Sequence, residues 1–545
     1  MQMQKTTQTN IKHRVIMLFC VDKKGQKRYN TNTNWVENNI KPHERRRNMK
    51  KYIMVIDEGT TGTRALIFNK NFEIVSQSYE EFTQYTPSED KVEHDAMEIY
   101  DKTIAMCKNA MSQAGISADE ISGIGITNQR ATTVIWDKET GLPLCKAIVW
   151  QDNRTADRCA ELNASEWGEK CKKATGWTVA PVYSSLMIEW LMKNNEEVDR
   201  KLKDGTALFG TIDTWLVWKL TGGKKHAISY SNASVTGSLN LETCEWYEEF
   251  LDFLGIPVSI YPKLTDDSGD YGETYPELFG SPIPITGCIA DQHAALYAQG
   301  CREGGMAKLT NGTGSFLDVN IGEKCAVLDG GINTVIAWKI GDKLHYAMEG
   351  YAGVTGSAVQ WLRDELKMIK SSAEIEEKAR SVKDTNGVYF VPALAGLGAP
   401  YWDPFARGML IGLTRGASDA HICRATLEAI AFSIRDITDS IAEDTGSEVK
   451  DIKIDGGASK NNLLAQMFAD YLNCRIERPD SVEATSLGAA QMAGLYTGFW
   501  TEADFDNAVH YDAVFTSQMP EEEREKAYAI YKDAVKRCSG WMIGK

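Results

Sequence analysis

The sequence predicts a duplicated α/β fold, two domains facing each other across a central cleft, and three stretches predict it. "YIMVIDEGTTGTRALIF", residues 52–68, sets two apolar runs with strand character, Tyr52 to Ile56 and Ala65 to Phe68, around an acid and a Gly/Thr-rich turn. "GMAKLTNGTGSFLDVN" repeats that design further along the chain, with Asn-Gly-Thr-Gly-Ser between its apolar runs. "VKDIKIDGGASKNN" reads as a strand, Ile452 to Ile454, ending in Asp455-Gly456-Gly457 before a helix from Asn461. One type of hairpin near the start of each half marks an internal duplication.

Each of these turns exposes backbone N–H groups and hydroxyls, and small residues let a phosphate approach the backbone closely. Asp57, fixed at a strand end, cannot touch a phosphate directly and suits a hydrated Mg²⁺ instead. For one such hairpin alone the plainer reading is preferred, a tight turn whose hydroxyls satisfy their own backbone. The second copy shifts the balance towards ATP lying between two hairpins, and the glycines at 456 and 457 let a nucleotide lie flat at a helix start.

A chain of 545 residues suggests two to four domains, and 43% hydrophobic with 25% charged residues is a globular composition. No run approaches the roughly 18 apolar residues of a membrane span, and "VIMLFC" is too short for a signal-peptide core, so a cytoplasmic protein is expected. Twelve cysteines without a C-x-x-C pair and eight histidines without H-E-x-x-H support neither a disulfide framework nor a zinc site. A net charge of −15 argues against nucleic-acid binding. Residues 1–49 differ in kind: 1–48 carry 11 Lys and Arg against 3 Asp and Glu with no sustained period, which predicts a disordered tail. Met49 stands directly before the first strand as a natural start, with a basic tether to an anionic surface as the alternative.

"PIPITGCIADQHAALYAQG" reads as an apolar strand, a turn at Gly287, a short strand, and Asp291 opening a helix with Ala294, Ala295 and Ala298. An acid there is an N-cap as readily as a catalytic group. Phosphoryl transfer to a hydroxyl needs a carboxylate on a rigid element to accept the hydroxyl proton. "HDAMEIYDKTIAMCKNAMSQAG" is scaffolding: Asp95 and Glu98 form a capping pair, and Met97, Tyr100, Ile104, Cys107 and Met111 a core stripe at helical spacing.

The ordered set "IDEGTTGTR", "ITNQRATT", "VWQD", "FGTIDTWLVWKLTGG", "SNAS", "ADQHAAL", "NGTGSF", "GLGAPYWDPFARG", "GLTRG" and "DGGASKNN" resembles the FGGY family of carbohydrate kinases, its glycerol kinases in particular, over about residues 50 to 540. The resemblance implies two actin/hexokinase-like (RNase H-like) ATPase domains closing over ATP, Mg²⁺ and a polyol: 50–299 with the substrate and the catalytic base, 300–500 with the nucleotide, and a helical extension over 501–545. It makes Asp291 the base and assigns the acceptor to Arg130, Ala131, Trp150, Val182, Asp291, Gln292 and Phe316. It assigns ATP to Thr60, Thr61, Gly62, Arg64, Thr313, Gly356, Gln360, Gly457 and Asn461, and Mg²⁺ to Asp57. It also implies a homo-oligomer.

The chain departs from that pattern around the acceptor. Ala131 stands where the glycerol kinases place a Glu after the Arg of "NQR"; Val182 stands where they place a Tyr, with Tyr183 as a one-position substitute; Met187 replaces a Lys. Two hydroxyl-binding groups are gone while the transfer apparatus is kept. The expected reaction is transfer of the ATP γ-phosphate to a primary hydroxyl of a small polyol, glycerol first. The alternatives are another polyol or a ketose of the erythritol, xylulose or ribulose type, an ATP-binding regulatory pseudokinase, or an ATP-driven conformational protein of the actin type, which would need no acceptor pocket.

Overall fold

The computed structural model of the chain describes residues 19–21, 27–29, 50–328, 331–446, 448–480 and 483–543. Residues 1–49 and 50–545 form separate units. In the first, Phe19–Val21 and Lys27–Tyr29 pair as a short antiparallel ladder; the expectation of a disordered tail otherwise falls outside the described residues.

The second unit is built on two sheets of one plan. In the first, β1 (Tyr52–Glu58), β2 (Gly62–Asn69) and β3 (Ile74–Glu81) form an antiparallel meander. β4 (Ile121–Asn128) and β5 (Ile285–Ala290) continue it in parallel on the far side of β1. The second sheet repeats this: β6 (Met306–Asn311), β7 (Ser315–Gly322), β8 (Asn333–Ile340) and β9 (Lys343–Ala352) are antiparallel in the order β6-β7-β9-β8. β10 (Asp451–Asp455) and β11 (Arg475–Pro479) then run parallel to β6, and β12 (Tyr511–Phe515) closes the edge antiparallel. The parallel strands are covered on both faces, which is why all eight positions of β4 are buried.

Along β1 the side chains alternate between two cores. Met54 and Ile56 pack with helix α1 (Ala96–Ala114), whereas Ile53 and Val55 face a core shared with Val335, Ala337 and Ala347 of the second sheet. The α1 stripe is core as read: Tyr100, Cys107 and Met111 are buried, with Met97 and Ile104 packed at the margin. Asp95 caps it, accepting from the Met97 and Glu98 N–H groups. Glu98 does not complete a reciprocal box; its carboxylate accepts instead from the backbone and hydroxyl of Thr83.

Two elements differ from expectation. Gly287 is not a turn: Ile285–Ala290 is one strand with a register shift between Ile285 and Gly287. A Cβ at 287 would lie 2.6 Å from the Ala493 nitrogen, so the strand needs a glycine where a helix backbone crosses it. That helix is α6 (Ala484–Thr497), which follows α2 (Asp291–Ala298), α3 (Gly356–Asp364), α4 (Asp419–Thr445) and α5 (Asn462–Leu472) along the chain. Although the sequence boundaries place it within 300–500, α6 lies on the first sheet and crosses α2 at Gly488, where a Cβ would collide with the Ala294 carbonyl. The far end of the chain thus clamps the helix that begins with Asp291. Among the described residues no helix is long and apolar enough to cross a membrane.

Candidate active site

The two hairpins are built alike. In the first, the Gly59 N–H donates to the Gly62 carbonyl at 3.0 Å. In the second, one residue shorter, the Gly312 N–H donates to the Gly314 carbonyl at 2.9 Å, leaving Thr313 exposed at the tip. The Thr60 hydroxyl is not spent on its own turn: it accepts from the Trp150 indole at 3.1 Å, joining an acceptor-side residue to a phosphate-side one.

Glu58, at the root of the first hairpin, was not singled out by the sequence. It is fully buried, its carboxyl accepting from the Thr63 and Thr103 hydroxyls at 2.5 and 2.6 Å. Burial, against those two hydroxyls, pushes it up to about 8. The folded chain therefore keeps a proton that the unfolded chain releases near 4.5. The resulting stability is complete below that value and lost as pH rises through about 8, on the order of 3–5 kcal/mol in all. Glu58→Gln should flatten the fall of Tm between about pH 5.5 and 8.5. It should not abolish that fall, because burial also raises Asp267 to about 8. A slope identical to wild type would mean that Glu58 ionises freely in the fold.

Asp57 accepts from Arg64 Nη2 at 2.5 Å and from the Ser486 hydroxyl at 2.7 Å, both through Oδ2. Arg64, assigned to the nucleotide by resemblance, is held between Asp57 and Glu483, 2.7 Å from the latter; two carboxylates claim its guanidinium. Among the described residues no group of three or more His, Cys, Asp or Glu could hold a metal ion. A single carboxylate at the phosphate hairpin still fits Mg²⁺, which takes one or two carboxylates and completes its shell with water and substrate phosphate oxygens.

On the nucleotide side, α3 begins against the second hairpin. The Ser357 N–H donates to the Thr313 carbonyl at 2.9 Å, and a Cβ at Gly356 would collide with the Gly312 carbonyl oxygen. Gln360 is exposed on the same helix. At Gly457 a Cβ would meet nothing within 4 Å, so this glycine faces open space of the kind a flat ligand fills. Asn461 is the N-cap of α5, its side-chain oxygen accepting from the Leu464 N–H at 2.9 Å, which leaves its amide N–H₂ to donate to a ligand.

On the acceptor side, Asp291 is the first residue of α2, one past the N-cap Ala290, and the helix has no side-chain cap. Its Oδ1 accepts from the Gln292 N–H at 2.7 Å and lies 3.6 Å from Arg130 Nε. Burial raises Asp291 above its ordinary value and Arg130 opposes that rise. Its side chain remains 31% exposed, so a reactant can reach it. Gln292 is aimed by Lys308, whose ammonium donates to the amide oxygen at 2.8 Å and pairs with Asp318 at 2.8 Å inside the second sheet. Arg130 reaches across to Glu349 on β9 and pairs with it. Trp150 and Phe316 keep 42% and 49% of their surface exposed, Phe316 lying against the Tyr351 ring.

Three more of the residues expected around the acceptor lie in or against the core. The Ala131 side chain is fully buried and its backbone is left-handed (φ 61°), with its carbonyl held by the Ser184 and Thr133 hydroxyls, so the methyl offers no contact surface. Tyr183 does not substitute for the missing tyrosine: its ring is buried and its hydroxyl donates to the Trp177 carbonyl at 2.6 Å. Val182 is half-buried against the core that encloses Tyr183. The sequence reading missed Lys308, Asp318, Glu349 and His293. The available signal was a charge inside an apolar run, as in "GMAKLT" and "YAMEGY".

Comparison with known proteins supplies the family. The model of the N-terminal domain of the FGGY family of carbohydrate kinases matches residues 52–298, and that of the C-terminal domain residues 307–496. The chain is 48% identical over 494 residues to a glycerol kinase of Halothermothrix orenii, covering 90% of this chain and 99% of that one. It is 48% identical over 498 residues to a glycerol kinase of Petrotoga mobilis, covering 91% and 100%. The structure of Plasmodium falciparum glycerol kinase with ADP superposes with a TM-score of 0.85 at 36% identity, over 89% of this chain and 98% of that one. Duplicated sheets, paired glycine hairpins and a carboxylate at the start of α2 therefore have a common explanation: the chain belongs to the FGGY family of carbohydrate kinases.

Proposed function

We propose that this carbohydrate kinase transfers the γ-phosphate of ATP to a primary hydroxyl of glycerol, giving glycerol 3-phosphate and ADP. The observation that supports this most is near-complete alignment at 48% identity with glycerol kinases, with Asp291 and Arg130 side by side on the acceptor side. In this reading the hydroxyl oxygen attacks the γ-phosphorus, the bond from that phosphorus to the β–γ bridging oxygen breaks, and Asp291 takes the hydroxyl proton. The upward pull of burial on Asp291 makes it a better base than an exposed aspartate, while Arg130 opposes that pull and favours the carboxylate form. Gln292, aimed by Lys308, binds an acceptor hydroxyl, and Trp150 and Phe316 wall the carbon chain. The two hairpins present backbone N–H groups to the phosphates, and Gly457 gives the nucleotide room. Mg²⁺ would be held through Asp57 and would neutralise phosphate charge when bound.

A second reading, a larger polyol or a ketose, follows from the absence at positions 131 and 182 of the Glu and the Tyr with which glycerol kinases bind hydroxyls. A coupled ADP-release assay with glycerol, erythritol, xylulose and ribulose at saturating MgATP decides between them. The highest kcat/KM is expected for glycerol; a ketose at least about ten-fold better, roughly 1.4 kcal/mol of transition-state binding, would move the assignment to the second reading.

A further inference from the structure

The pocket arginine lacks the acid expected beside it in sequence, because residue 131 is an alanine whose methyl is fully buried. Arg130 nevertheless has a carboxylate partner. Glu349, 219 positions away on β9, pairs with Nη1 of Arg130, while Asp291 approaches Nε of the same guanidinium at 3.6 Å. The two acids therefore flank one cation, Asp291 from the first sheet's side and Glu349 from the second sheet.

Glu349 is set there by its strand and by its neighbours. It stands opposite Asp318 in the β7–β9 register, and its side chain is only 12% exposed. His293, on the first turn of α2, places Nε2 3.5 Å from the same Oε1 that meets Arg130. His293 is completely buried and neither of its ring nitrogens has a hydrogen-bond partner among the described residues, so its unspent polarity faces Glu349. Both ion-pair contacts of Glu349 use Oε1, which leaves Oε2 available to accept from a hydroxyl.

We propose that Glu349 is a specificity-determining residue of the acceptor pocket: it supplies, from the opposite sheet, the hydroxyl-accepting carboxylate that residue 131 does not, with His293 as a positioning residue behind it. The proposal rests on the polyol-kinase reading above. It has a mechanical consequence. Arg130 follows β4 of the first sheet and Glu349 lies within the second, so the acceptor grip is complete only when the two sheets' halves are together.

The test uses full-length wild type, Glu349→Gln and Glu349→Asp, with KM for glycerol, KM for ATP, kcat and Tm measured for each. Glu349→Gln keeps the shape and removes the charge; it should raise the glycerol KM about ten-fold or more with the ATP KM within about three-fold. Glu349→Asp keeps the charge and withdraws it by one methylene; it should keep Tm near wild type and still raise the glycerol KM. The Asp variant decides the matter if Glu349→Gln fails to fold. A glycerol KM within about two-fold of wild type in every folded variant overturns the proposal, as does a fall in kcat with KM unchanged. Wild type separates the two ideas: if it turns over no polyol or ketose, the kinase reading falls and this proposal with it. If wild type is active and the variants keep its acceptor KM, only the role of Glu349 is lost.

Discussion

Asp291→Asn is expected to bind ATP normally and to lose about 10²–10⁴-fold in kcat, the span that a positioned general base contributes. The exchange is isosteric, keeps the Gln292 N–H bonded to a side-chain oxygen, and leaves Arg130 paired with Glu349, so Tm should stay within a few degrees of wild type. The pH profile gives an independent readout. Burial raises Asp291 above its ordinary 3.8, so the acid limb of kcat/KM in wild type should lie above that value and be absent from the residual activity of the variant. Near-normal turnover in Asp291→Asn would assign the residue to the start of α2 as structure alone.

Gly356→Ala should disable the nucleotide side with comparable force. A methyl at 356 would collide with the backbone carbonyl of Gly312, which cannot swing aside as a side chain could, so either α3 or the second hairpin must move. The expected result is a loss of roughly 1–3 kcal/mol of stability together with an ATP KM raised about ten-fold or more and little change in acceptor KM. Gly457→Ala is the matched control: nothing lies within 4 Å of the new methyl, so Tm should not change. An ATP KM that rises in Gly457→Ala at constant Tm would mean that the methyl meets the nucleotide; an unchanged one would take Gly457 out of the binding surface.

The two hairpins were legible because Gly and Thr interrupt strongly apolar runs twice at corresponding places, and a β-turn of that composition has few other readings. The cap and stripe of α1 were legible for the same local reason, although Glu98 turned to Thr83 rather than to the helix start. What escaped was long-range. Helix α6 is buried around most of its circumference, so it carries no polar face to reveal which sheet it covers, and its backbone contact with α2 depends on a single glycine. Lys308 and Glu349 sit inside apolar strands and make sense only once Gln292 and Arg130 are folded against them. Ala131, and Tyr183 as a one-position substitute for the aligned Val182, were placed at the pocket by resemblance alone; the left-handed backbone at 131 and the inward hydroxyl of Tyr183 are properties of the packed chain.

The most direct test of acceptor phosphorylation by this chain is phosphorus NMR of wild type and Asp291→Asn incubated with MgATP and glycerol. A phosphomonoester resonance of glycerol 3-phosphate should grow in wild type in one-to-one proportion with ADP, with no inorganic phosphate beyond that of an acceptor-free control, and should be absent or slowed at least about 10²-fold in the variant. Inorganic phosphate released equally with and without glycerol, or a phosphomonoester formed at the wild-type rate by Asp291→Asn, would contradict it.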